Sequence, residues 1–171
     1  MFKIYTVSFF GHRIIENTAA AEYKLEEHIK SIIDQKEYVE FLVGRNEDFD
    51  RCCAAAVKRV RKNHRDDNSA LVLMLPYLTA EYLNNKISFE KYYDSIEVPV
   101  SSAQAHPKSA ITIRNREMVT RADIIICYIQ NEYGGAYQAV RYAQKLGKTI
   151  INLAPETQFP LPRGGKLNKK Q

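Results

Sequence analysis

The chain has 171 residues, 45% hydrophobic and 26% charged, a length for one domain and a balance that excludes wholesale disorder. Net charge is +5, but Pro160–Gln171 holds Arg163, Lys166, Lys169 and Lys170 and no acid, so the body keeps 21 basic against 20 acidic residues. That near-neutral body is no nucleic-acid footprint, and nucleic acid is an unlikely partner on this count.

No apolar run approaches the ~20 residues that span a bilayer, so no membrane association is expected. The opening MFKIYTVSFFGHR lacks the order of a signal peptide, and a cytoplasmic protein is expected. Cys52, Cys53 and Cys127 have no metal-ligand spacing, so they read as buried hydrophobes and no metal is expected.

Taken in chain order, Lys3–Phe9 reads as a strand ending near Gly11. Asn17 or Thr18 caps a helix running to Lys36, with Ala21, Leu25, Ile29 and Ile33 at helical spacing. Glu40–Val43 is a strand, Asp50–Lys62 a helix and Ala70–Leu75 a strand. Tyr77–Tyr93 gives a short helix near Thr79–Asn85 followed by an irregular segment, and Ser95–Val98 a minor strand. Pro107–Arg121 is a helix, Asp123–Tyr128 a buried strand, Ala136–Leu146 a helix with Gly147 beyond its end, and Thr149–Leu153 the last strand. Strands that are continuous apolar runs, alternating with helices, predict an α/β fold: three Rossmann-like layers, a mainly parallel sheet with helices on both faces. The expected division is a domain over 1–154 and a flexible basic tail over Pro155–Gln171. Eleven tyrosines leave a homo-oligomer possible.

Ligands of such sheets bind beyond the carboxyl ends of the strands. The first strand is followed by Gly11, a turn residue, with His12 and Arg13 as two donors. The second is followed by Gly44 and an acidic run in which Asp50 either caps the next helix or accepts bonds from ribose hydroxyls. Arg114 and Glu117 share a helical face. Gly134, Gly135 and Ala136 open a helix, and bare N–H groups there suit a phosphate. Neither GxGxxG nor GxxxxGK[ST] occurs, so ATPase, GTPase and ordinary NAD-dehydrogenase readings lose their support, and no cofactor is expected.

These segments resemble one family pattern in order and spacing. Gly11-His12-Arg13, the Val43-Gly44…Asp48-Phe49-Asp50 loop, Arg114-Asn115-Arg116-Glu117-Met118-Val119, and Asp123–Ile129…Gly134-Gly135-Ala136-Tyr137…Ile150-Ile151-Asn152-Leu153 resemble the SLOG superfamily, and within it the small bacterial YpsA-like branch. The resemblance implies a domain that binds a nucleotide or nucleotide-derived small molecule, as a sensor or binding module without robust catalysis. Carried over by position, it implies ligand contacts from Gly11, His12, Arg13, Gly44, Asp50, Arg114, Asn115, Glu117, Gly134, Gly135 and Ala136.

The superfamily includes LOG-type phosphoribohydrolases, which carry Arg-x-x-x-Met and Pro-Gly-Gly-x-Gly-Thr-x-x-Glu. Here no proline precedes Gly134, no Gly-Thr follows, and Gln138 stands near the acidic position. A missing carboxylate weakens stabilisation of an oxocarbenium-like transition state, by ~100-fold or more in rate. The alternative is therefore an N-glycosidic hydrolase with Glu117 and His12 as the candidate catalytic groups. A weaker one is a single-stranded nucleic-acid-associated protein, because the related DprA branch handles single-stranded DNA.

Overall fold

In the computed structural model, which describes residues 2–45 and 47–155, six strands form one sheet in which every pairing is parallel. The strands are β1 (Ile4–Gly11), β2 (Tyr38–Val43), β3 (Ser69–Met74), β4 (Ser95–Glu97), β5 (Ile124–Tyr128) and β6 (Thr149–Asn152), in the order β4-β3-β2-β1-β5-β6. The chain builds outward from β1 to β4, then crosses back to lay β5 on the other side of β1. The gap between the ends of β1 and β5, where Gly11 pairs with Tyr128, is the topological switch point.

Alternation along β1 sorts its side chains between two helical layers. Val7 and Phe9 join a core with helices α1 (Thr18–Gln35) and α2 (Asp48–Asn63), where Phe9 stacks on Phe41 at 6.0 Å. Phe10 joins the opposite core, with α6 (Pro107–Arg121) and α7 (Gly135–Lys145). Ser8 points into that second layer and is fully buried; its hydroxyl donates to the Met118 carbonyl at 2.8 Å, so its burial leaves no unmet polar group. Asn17 caps α1 by accepting from the Ala20 amide at 3.1 Å, as its side chain predicts. Arg121, at the end of α6, pairs with Glu97 of β4 (2.6 Å) and Glu40 of β2 (3.2 Å), tying the helix to the sheet's far edge.

The Rossmann-like α/β class is as expected, with small shifts at element ends. The short helix expected near Thr79–Asn85 is α3 (Ala80–Asn84); the irregular segment expected after it is instead a second helix, α4 (Lys86–Tyr92), begun at Asn85, and one further turn, α5 (Val100–Ala103), has no periodic signal. Cys52, Cys53 and Cys127 are buried free thiols, and burial pushes the Cys53 and Cys127 thiols far above the ordinary thiol range. No helix among the described residues is long and apolar enough to cross a membrane. The tail expected over Pro155–Gln171 lies, after Pro155, outside the described residues, as does Asn46.

Candidate functional site

The loops after β1, β2 and β5 and one face of α6 converge on an open cleft at the switch point, with a volume of about 60 Å³. Gly11, Gly44, Asp50, Arg114, Asn115, Gly135 and Ala136, all singled out by the sequence, line it together. Met118 and Ile111 supply an apolar wall.

Gly11 is required by packing rather than by a turn. A Cβ there would stand 2.3–2.4 Å from the Phe49 side chain, and its φ is not positive. The ring from the first turn of α2 lies across the end of β1 and fixes where that turn sits. At Gly44 the missing side chain makes room for two charges: a Cβ would come within 2.8 Å of Asp50 Oδ2 and 3.2 Å of Arg114 Nη1. Asp50 does not cap α2. The capping position is Glu47, which makes no side-chain cap bond, and Asp50 stands inside the first turn, buried next to the Arg114 guanidinium.

Arg114 is held from three directions. Its Nη1 donates to the Met74 carbonyl at the end of β3 (2.8 Å) and its Nε to Asn115 Oδ1 (3.0 Å), while Asp50 and Glu47 face it electrostatically. Burial pulls the guanidinium below its ordinary value and the two carboxylates push it back, so it stays a cation. Glu47 is the site residue that sequence reasoning overlooked. Its Oε2 is buried and finds no hydrogen-bond partner among the described residues, and desolvation raises its pKa against the pull of Arg13 and Arg114. The acidic run between Gly44 and Asp50 announced carboxylates, but nothing in it said which one turns inward.

The opposite wall is the start of α7. Gly134 caps it at φ +94°, ψ 169°, a conformation open only to glycine, and no side chain among the described residues caps the first N–H groups. The Asn115 Nδ2 lies 4.0 Å from where a Cβ on Gly135 would stand. The cleft is therefore bipolar. Helix N–H groups and the Asn115 amide stand at one end, and the Glu47 and Asp50 carboxylates around Arg114 at the other.

Four expected contacts fall outside the lining: Gly134, which caps α7 without itself lining the cleft, and His12, Arg13 and Glu117. His12 is not a donor into the cleft through Nε2: that nitrogen accepts from the Gln130 and Asn131 amides (2.8 and 3.0 Å), and the His12 amide donates to the Tyr128 carbonyl (3.2 Å). Burial lowers the His12 pKa and keeps the ring neutral, so it shapes the loop that feeds α7. Arg13 is exposed at the rim. Its carbonyl accepts from the Asp48 amide (3.0 Å), pinning the β1–α1 loop to α2, and its charge reaches Glu47 without lining the cleft. Glu117 is turned away, because it sits ~110° round the helix from the centre of the face formed by Ile111, Arg114, Asn115 and Met118. Its electrostatic neighbour is Arg121, one turn on. Gln138 lines a neighbouring groove instead of the cleft. A hydrolase built on Glu117 and His12 thus finds neither group presented to the cleft. Among the described residues no cluster of His, Cys, Asp or Glu has the makings of a metal site.

Fold and site together define a Rossmann-like α/β protein with a cleft of mixed polar and apolar lining at its switch point. No family model and no curated protein matches the sequence. Among solved structures, the chain is similar to DNA processing protein A (DprA) from Streptococcus pneumoniae, with a TM-score of 0.64 at 14% identity, covering 91% of this chain and 52% of that one. It is also similar to DNA processing protein A from Helicobacter pylori, a protein with a single-stranded DNA binding mode: TM-score 0.60, 14% identity, 94% of this chain and 69% of that one. The chain spans about half the length of the pneumococcal protein. At this identity the likeness is one of fold.

Proposed function

We propose that the cleft binds the sugar–phosphate part of a nucleotide or nucleotide-derived small molecule, in a protein that senses or carries that ligand. The observation that carries this reading is the bipolarity of one cleft. Gly135 at the open start of α7 lies at one end, and Asp50, Glu47 and Arg114 beside Gly44 at the other. Unmet helix N–H groups and the dipole favour a phosphate. Carboxylates accept bonds from vicinal hydroxyls, and the Arg114 cation faces both acids. The cleft volume, about 60 Å³, suits a phosphate or a ribose, leaving the base toward the mouth. Membership of the SLOG superfamily and its YpsA-like branch belongs to the same proposal.

Thermal unfolding with ribose 5-phosphate, AMP and ADP-ribose tests it. A ligand at a hundredfold excess over its Kd adds about 2.7 kcal/mol, which for a chain of this size raises Tm by about 5–10 °C. No shift with any phosphate-bearing ligand overturns the reading.

A second reading, that one nucleotide of a single strand occupies the cleft, is favoured by the Helicobacter pylori neighbour, and it weighs against treating nucleic acid as an improbable partner. Affinity for an oligonucleotide that exceeds the affinity for AMP and ADP-ribose and falls steeply with salt would decide for it.

A further inference from the structure

Beside the cleft runs a second, roomier groove between α6 and α7, of about 230 Å³. It shares Asn115 and Gly135 with the cleft, so the two are continuous at the end where helix N–H groups stand. Arg116 forms one wall; Arg141, Tyr142 and Lys145 form the other. Among the described lining residues three are cations and none is an acid. The lack of acids extends to the elements themselves. Helix α7, GAYQAVRYAQK, contains no carboxylate, and the single acid of α6, Glu117, is not among the groove's described lining residues, its electrostatic neighbour being Arg121.

Arg116 is also oriented. Its guanidinium lies over the Tyr142 ring at 5.3 Å, which holds it across the groove. Arg141 donates to Gln144 Oε1 at 2.9 Å, a neutral partner that leaves its charge uncompensated. From Gly135 to Lys145 the groove follows α7 for ~15 Å. A row of cations with no acid paired to it among the described residues, starting where the cleft would hold its phosphate, is a track for further phosphates.

We infer that the α6–α7 groove is a second phosphate subsite, so that the ligand carries at least one phosphate beyond the one held at Gly135. This rests on the reading of the cleft given above. The shared chemistry is a phosphate chain, and two sources supply it: a pyrophosphate-linked nucleotide or a phosphodiester-linked strand.

Calorimetry on three probes separates these: AMP, ADP-ribose and hexathymidylate. They are titrated into the wild-type chain, into Arg116→Ala/Arg141→Ala/Lys145→Ala, and into a charge-matched control, Lys62→Ala/Lys86→Ala/Lys91→Ala. Unfolding midpoints check that all three proteins are folded. The expected result is that AMP binds all three alike, while ADP-ribose or hexathymidylate binds the wild type and the control about tenfold or more tighter than AMP. The groove variant loses that gain. If the strand is the source, the groove variant also flattens the dependence of log Kd on log salt by about 2, at about 0.7 per phosphate contact. AMP binding with no gain for either longer probe, or an equal loss in the control, overturns the second subsite and leaves the cleft reading standing. Failure of all three probes on the wild-type protein overturns both.

Discussion

Replacing Arg114 with Met probes the charge group at the floor of the cleft. The side chain is 5% exposed, its Nη1 is the donor to the Met74 carbonyl, and it faces Asp50 and Glu47. Arg114→Met strips a buried carbonyl of that donor, worth about 1–3 kcal/mol, and takes the cation from beside a buried carboxylate. Removing one member of a buried charge pair destabilises by about 3–5 kcal/mol, so the variant is expected to lose at least about 3 kcal/mol, or about 6–12 °C in Tm. Asp50→Asn alone leaves Arg114 its carbonyl and amide partners and costs less. Urea unfolding at pH 7 of the wild type, both single variants and the double variant gives the coupling. Two groups that sense each other beside Gly44 couple by about 1 kcal/mol or more, so the double variant is more stable than the sum of the singles. Additivity within about 0.5 kcal/mol would refute the charge group.

Gly11→Ala sets a methyl 2.3–2.4 Å from the Phe49 side chain, where ordinary contact begins at 3.4 Å. The first turn of α2 must retreat by about 1 Å at a cost of about 1–3 kcal/mol or more, and a thermal melt indistinguishable from wild type would contradict this. Gly134→Ala meets no atom within 4 Å, yet φ +94° penalises any side chain, so a loss of about 1–3 kcal/mol in urea unfolding is expected despite the open space. His12 has a folded pKa below its ordinary 6.5, so its contribution is complete above about pH 6.5 and lost as pH falls through the folded value. The stability advantage of wild type over the non-titrating His12→Gln is therefore larger at pH 7.5 than at pH 5.0; an unchanged gap would remove the role given to the neutral ring.

Local patterns made most of the fold readable. Pro107 at a helix start, the apolar run before Tyr128 and the glycine after α7 are signals carried by neighbours in sequence, and α6 runs over the same Pro107–Arg121 span that they predict. Gly147 takes its expected left-handed conformation, at φ +69°. The cleft was legible because a parallel sheet puts the ends of β1, β2 and β5 side by side whatever their side chains. What escaped depends on partners remote in the chain. The amides that His12 accepts from lie 118 and 119 residues away, and Gly11 answers to a ring in another element. Arg114 and Glu117 are three apart, a spacing that permits a common face, but the phase of α6 against the sheet turns one in and the other out. The near-neutral body concealed the cationic groove in the same way, since a net charge carries no positions.

The proposed binding mode stands or falls with an anion at the bare start of α7, beside Gly135. Calorimetry of AMP or ADP-ribose on wild type and Gly135→Asp tests it most directly, because that position has an ordinary φ and no atom closer than 4.0 Å to a new Cβ. An acid in the first turn of a helix stabilises it by about 0.3–1 kcal/mol, so the variant should unfold no earlier than wild type while losing the ligand. A nucleotide bound equally well by both proteins would contradict the account.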